Sequence, residues 1–262
     1  MSAHVARITV FPMKSCDGLA LETASVMVSG ALLYDRKFAL VDANGRFINA
    51  KRTPLIHQLR LQVDPVSREF DVGRRDEKVE LHGRLDDDGP QLSDWLSTFF
   101  SLEVSIIEND ETGFPDDLGA VGPTIISAAT LRTVAGWFEG LTVEEVRHRF
   151  RANIEVDGVE PFWEDRLFRS DRQPQPFRAG DVQFGGINPC QRCVVPTRNS
   201  QTGDVTPAGF SQQFSRRREE TLPDWAPREH FNHFYRLSTN TRLLERGHGI
   251  IRVGDTVELE SI

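Results

Sequence analysis

The sequence has little cysteine, no excess of basic residues and no long apolar run. Its three cysteines, Cys16, Cys190 and Cys193, are too few for a disulfide scaffold and odd in number. They point to a reducing, cytoplasmic compartment. Lysine and arginine total 31 against 39 aspartates and glutamates, a net charge of −8. An acidic chain without a basic block is a poor partner for nucleic acid or an anionic membrane, so neither is expected. The basic run Arg216-Arg217-Arg218 is followed at once by Glu219-Glu220. No apolar stretch approaches the roughly 20 residues that span a bilayer. The N-terminus, Met1 to Val10, has the pattern of a strand and not of a signal peptide. There is no Walker loop, no GxGxxG turn, no second Cys-x-x-Cys and no His-x-x-x-His. These absences leave no nucleotide-binding signature and no complete set of zinc ligands.

What is there fits a globular chain of one large or two small domains: 262 residues, 39% hydrophobic and 27% charged. The first third reads as short strands, at Arg7–Phe11, Ser25–Val28, Phe38–Asp42, Arg60–Val63 and Val79–Leu81, separated by Gly and Asn turns. The period then becomes helical at Leu92, Trp95, Leu96 and Phe99. Ser127 is placed to cap a helix carrying Leu131, Val134, Ala135 and Phe138. Thr142 and Glu145 have the spacing of a capping box. The acidic, Gly- and Pro-containing stretch from Asn109 to Pro123 is the natural domain junction. Strands return at Asn153–Val156. Two similar segments, Arg178-Ala-Gly-Asp-Val-Gln and Arg252-Val-Gly-Asp-Thr-Val, each place a Gly-Asp turn before an alternating apolar run.

The sharpest motif is Asn188-Pro-Cys-Gln-Arg-Cys193, and four chemistries are compatible with it. A structural zinc site needs four ligands, which only Cys16 and scattered histidines could complete. A thioredoxin-like pair needs a strand-to-helix step, but Pro196 and the turn-forming Asn199–Gly203 follow the motif. Two packing cysteines need apolar surroundings, whereas Gly185-Gly-Ile-Asn-Pro189 is turn-rich and polar. The fourth chemistry is a single thiolate ligand to a soft, redox-active metal carried on an organic cofactor. Arg192, beside the thiol, would favour the thiolate.

That fourth chemistry requires an anion pocket, for which the sequence offers scattered parts. Phe11-Pro-Met-Lys-Ser-Cys16 ends a strand with the Lys14 amine and the Ser15 hydroxyl. Arg36 stands just before another strand, and Arg151 and Asn153 share one face of an extended segment. Ser127 opens a helix, where free N–H groups and the dipole favour phosphate.

Together these segments resemble the MOSC proteins that carry an N-terminal β-barrel domain, of the mitochondrial amidoxime-reducing component and YcbX type. The resemblance rests on Phe11-Pro-Met-Lys-Ser-Cys16, Asp35-Arg36-Lys-Phe-Ala-Leu-Val41, Asn49-Ala-Lys-Arg-Thr-Pro54 and Phe150-Arg-Ala-Asn-Ile154. It continues in Pro189-Cys-Gln-Arg-Cys193, Thr202-Gly-Asp204 and Ile251-Arg-Val-Gly-Asp-Thr-Val257, in family order along nearly the whole chain.

The resemblance implies an α+β, mainly β protein. An N-terminal β-barrel-like domain would occupy residues 1–110 and a MOSC β-barrel domain with a few helices residues 111–262. It implies a single-pterin molybdenum cofactor (Mo-molybdopterin) with Cys193 as the metal ligand and catalytic centre. Lys14, Ser15, Arg36, Ser127, Arg151 and Asn153 match family positions that hold the pterin and its phosphate. Gln191 and Arg192 would lie beside the metal, and Thr197 close behind the ligand. Cys190 reads as a packing or turn residue and Cys16 as a buried filler. The implied activity is reduction of N-hydroxylated or N-/S-oxygenated small molecules by oxygen-atom transfer at molybdenum. A carrier of the cofactor or its sulfur is the alternative. Pro196 replaces a frequent Thr, Asn199 a common Asp and Lys51 a common Arg, which bears on substrate fit. No ferredoxin-like cysteine cluster and no N-terminal membrane anchor accompany these motifs. Electrons are therefore expected from a separate donor protein of ferredoxin, flavin or cytochrome type.

Overall fold

A computed structural model of the chain describes residues 2–245 and 247–260. The N-terminal half contains β1 (His4–Val10), β2 (Leu19–Leu21), β3 (Thr23–Val26), β4 (Phe38–Asp42), β5 (Leu59–Val63), β6 (Glu69–Arg74) and β7 (Leu81–Arg84). Helix α1 (Leu85–Phe100) and β8 (Val104–Glu108) complete it. The C-terminal half begins with β9 (Ile125–Ser127), α2 (Ala128–Ala135), α3 (Val143–Phe150) and β10 (Ile154–Asp157). It continues with β11 (Gln175–Ala179), β12 (Val182–Gln191), α4 (Phe210–Glu220), β13 (Arg236–Leu243), β14 (Gly249–Arg252) and β15 (Val257–Leu259). Strands predominate, as an α+β, mainly β fold requires.

Eight strands form one sheet in the order β15-β11-β12-β13-β9-β10-β1-β2. Its ladder order is that of an open sheet, but a bridge between His4 and Thr256 links its two sides. The Val257 N–H donates to the Ala3 carbonyl at 2.9 Å across the same seam. Both Gly-Asp segments turn the chain into β12 and β15, which flank β11 antiparallel. Gly180 and Gly254 adopt φ of 57° and 93°, the left-handed region that glycine enters without a Cβ penalty. Gly186 permits the closest approach in the sheet: a Cβ there would meet the Leu167 carbonyl oxygen at 1.6 Å.

The expected division at residue 110 does not follow the hydrogen bonding. β1 lies between β10 and β2 in the large sheet, and β3 pairs with β14. The cause is the buried face of β1. Val5, Ile8 and Val10 pack with Ile154, Val156, Phe177 and Phe184, and a bulge between Val5 and Arg7 resets the alternation. Residues 13–104 build a separate core from Phe38, Leu40, Leu59, Leu61, Phe70 and Val72, covered by Leu92, Leu96 and Phe99 of α1. The helical period is thus seated as expected. Val79 is exposed and precedes β7, because the turn after β6 extends through the charged residues 75–78.

A third cluster holds α2, α3 and α4 together through Leu131, Val134, Val146, Phe150, Phe210 and Phe214. Beside it, Arg218 of α4 pairs with Asp165, their side chains 1% and 3% exposed. The guanidinium also lies 4.3 Å from the Phe162 ring centroid and 4.9 Å from that of Phe231. Asp165→Ala leaves this cation buried without its partner. It should lower stability by about 3–5 kcal/mol in urea unfolding, and pairing Asp165→Leu with Arg218→Met should recover most of that loss. A loss below about 1 kcal/mol for Asp165→Ala alone would contradict the assignment.

Candidate functional site

Loops from both halves of the chain line a cleft of about 740 Å³. In a protein of net charge −8, its walls carry ten lysine or arginine side chains and four aspartates or glutamates. The cleft is therefore a cationic focus in an acidic molecule.

The first wall follows β1. Ser15 takes a left-handed conformation, φ 70°, and its hydroxyl accepts from the Ala50 N–H at 3.4 Å. Lys14 is buried, and its Nζ donates to the Phe114 carbonyl and to Asp116 Oδ1, each at 2.7 Å. Burial lowers the Lys14 pKa, against the opposing pull of Asp116. Lys51 also reaches Asp116, at 3.2 Å. Desolvation works against the Asp116 charge, but the two ammonium groups win and hold its pKa below the usual carboxylate range. One flexible carboxylate thus covers two amines of the wall.

Arg36 and Arg151 crowd one aromatic ring. Arg36 pairs with Asp35 and lies 5.6 Å from the Phe11 centroid; Arg151 lies 4.0 Å from the same centroid. Arg151 is the left-handed C-cap of α3, φ 51°, which turns its side chain out of the helix line. Burial, with the neighbouring Arg36 charge, pulls its pKa down to about 10. Among the described residues its guanidinium has no hydrogen bond and no ion pair. It is an oriented cation in want of an anion.

The second wall is the end of β12. Cys190, Gln191, Arg192 and Cys193 all line the cleft, and both thiols are half-buried and free. Arg192 does not point at a ligand. Its guanidinium donates to the Phe150 carbonyl at 3.0 Å, the Leu237 carbonyl at 2.7 Å and the Ser238 hydroxyl. It clamps the cysteine segment to α3 and β13.

Two expected ligands lie elsewhere. Ser127 is fully buried; its hydroxyl caps α2 by accepting from the Thr130 N–H at 3.0 Å, and its own N–H donates to Glu164 at 3.1 Å. The N-terminus of α2 thus faces a protein carboxylate, and Ser127 does not line the cleft. Thr197 is buried and spends its hydroxyl on the Val194 carbonyl at 2.7 Å, bracing the turn behind Cys193. Asn153 reaches the wall, but its amide is largely engaged. Its Oδ1 accepts from Thr124, and its Nδ2 donates to the Thr9 carbonyl at 3.1 Å. The Thr142 cap forms as expected, while Glu145 turns instead to Arg149 and Ser200. Cys16 is the buried filler expected, its thiol pushed up to about 12 by burial.

Sequence reasoning missed His57, Asp116, Arg172, Arg198 and Arg236, all on the walls. None stands in a motif; only the fold brings them together. Burial, with the Arg198 charge next, pulls His57 down to about 4, so its ring is neutral at pH 7.

The donor set fits a phosphorylated organic cofactor carrying a thiophilic metal. The unpartnered Arg151 suits its anion, and Cys193 suits its metal. Among the described residues no three His, Cys, Asp or Glu side chains converge as a cage. A metal at Cys193 would take its other ligands from the bound group. Among the described residues no helix is long and apolar enough to cross a membrane.

The chain matches the MOSC N-terminal beta barrel domain over residues 2–103 and the MOSC domain over residues 124–258. It is similar to the molybdenum cofactor sulfurase of Drosophila grimshawi, with 27% identity over 232 residues, 77% of this chain and 29% of that protein. The Drosophila mojavensis sulfurase is 26% identical over 232 residues, 77% and 28% of the two chains. The human molybdenum cofactor sulfurase is 24% identical over 262 residues, 82% and 28% of the two chains. The chain thus spans less than a third of these relatives.

Two measurements check this geometry. Calorimetry with a phosphomonoester should show about tenfold weaker binding in Arg151→Gln and several-fold tighter binding in Asp116→Asn. Equal affinities across the set would contradict the anion site. Glu164, buried and beside Asp165, is pushed up to about 7. The native state then holds a proton that the unfolded chain has released, so stability carried by the protonated form is complete below pH 4.5 and is lost between there and about pH 7. Glu164→Gln should gain stability relative to wild type across that window in urea titrations; parallel profiles would refute it.

Proposed function

The chain belongs to the MOSC family, and from that premise we propose a molybdenum cofactor-dependent reductase of N-hydroxylated or N-/S-oxygenated small molecules. The observation that carries the proposal is the unpartnered Arg151 guanidinium in the same cleft as the free Cys193 thiol. Bound molybdenum would supply two-electron oxygen-atom chemistry, so that R–NHOH with two electrons and two protons gives R–NH2 and water.

The chain's own residues bind and orient. Arg151 and Arg36, both beside the Phe11 ring, would hold the phosphate. Lys14 joins them once Asp116 yields its place on the amine. Cys193 would provide the thiolate, and the Arg192 clamp anchors its segment to Phe150 and Leu237. Electrons would come from a separate protein donor.

A second reading has its own support. The relatives are named molybdenum cofactor sulfurases, and this chain aligns with part of them. The same cleft would then carry the cofactor or its sulfur without turnover.

Protein made in a host competent for molybdenum-cofactor synthesis should contain molybdenum and pterin. It should reduce an aryl amidoxime or hydroxylamine with a chemical reductant. Cys193→Ser should lose activity by at least about a hundredfold while unfolding at the same urea concentration. Normal turnover and metal content in Cys193→Ser would overturn the reductase proposal. Loaded protein that passes its cofactor to an acceptor but never turns over would establish the carrier.

A further inference from the structure

A second group of cleft residues lies apart from the anion anchor and comes wholly from C-terminal elements. Arg236 opens β13 opposite Gln191, the last residue of β12. Its Nη1 donates to the Pro189 carbonyl at 3.0 Å and its Nη2 to Asn232 Oδ1 at 2.8 Å. Its Nε–H is buried without an acceptor, and among the described residues no carboxylate pairs with it. A guanidinium has five N–H donors, so most of this one is unused. Burial lowers its pKa, and the charged group felt against that is Cys190.

The neighbours also offer spare donors to the cleft. Asn240 donates to Asn188 at 3.0 Å, which leaves the Asn188 amide hydrogens for the cleft. Arg172, exposed at the rim and held at φ 60°, makes no ion pair and no side-chain hydrogen bond among the described residues. Glu229 at the rim feels the Arg172 charge, but among the described residues it makes no ion pair with it. A half-buried cation that lacks a counter-charge is costly, and an incoming anion removes that cost. Bracing Pro189 would need a single donor, not a guanidinium with three to spare.

We propose that Arg236, with Arg172 at the rim and the Asn188–Asn240 pair beside it, forms a carboxylate-binding subsite, so that the substrates reduced at Cys193 are N-oxygenated acids. This rests on the reductase reading for the word substrate, but the subsite itself does not. Arg236 takes the carboxylate in a fork, the asparagine amide donates a further hydrogen bond, and Cys190 lies beside the bound acid.

The test uses cofactor-loaded protein and two probes of equal size, an aryl amidoxime with a para carboxylate and its para carboxamide counterpart. In calorimetry the wild type should bind the carboxylate at least about tenfold more tightly. Arg236→Gln should abolish that preference, Arg236→Lys should retain part of it, and Arg172→Gln should reduce it a few-fold. Equal binding of the two probes by wild type, or an undiminished preference in Arg236→Gln, overturns the subsite. Turnover separates the two claims. Carboxylate preference without reduction of either probe defeats the reductase and leaves the subsite standing. Reduction of both probes with no preference does the reverse.

Discussion

Arg151 and Arg36 share the Phe11 ring while the Asp35 carboxylate pairs with Arg36 alone, and everything proposed for the cleft depends on that imbalance. Like charges this close repel, and they stay together only because the backbone fixes each one independently. Arg151 is held by the left-handed cap of α3, and Arg36 by its φ of 52° and the bond from its N–H to the Phe11 carbonyl at 2.8 Å. The repulsion is thus stored in a frame with its own reasons to form. A bound phosphate releases it, which makes anion binding stronger than a lone surface arginine would give.

The frame spans the chain because β1 does. Its buried face joins the C-terminal sheet, and the residues just after it, Lys14 and Ser15, return to the N-terminal core through the Met13–Phe38 bridge. That crossing places an amine from residue 14 opposite a thiol from residue 193 without any long-range pairing between them. The Arg192 clamp does the corresponding work at the far wall. It ties the end of β12 to the Phe150 carbonyl, one residue before Arg151, and so links the thiol segment to the anion seat.

Much of the fold was legible in the sequence, because periodicity reports burial. The Leu92-Leu96-Phe99 spacing, the Ser127 and Thr142 caps and the Gly-Asp turns are local features, and each forms. The site was legible where motif residues reach the cleft, at Lys14, Ser15, Arg36, Arg151 and Cys193. At Ser127 the sequence does not decide, because a capping serine looks the same whether the helix end meets phosphate or a buried glutamate such as Glu164. Arg236 and His57 could not be found at all: a single polar residue on a strand end or a short turn carries no period. That β1 pairs across the division at 110 was not legible, because strand alternation does not say which sheet a strand joins.

Molybdenum K-edge absorption of the loaded protein tests the central claim most directly, since it reads the metal's own ligands. The account predicts that a sulfur scatterer at thiolate distance disappears from the metal shell in Cys193→Ser while the dithiolene sulfurs remain. An unchanged sulfur shell in that variant would contradict it.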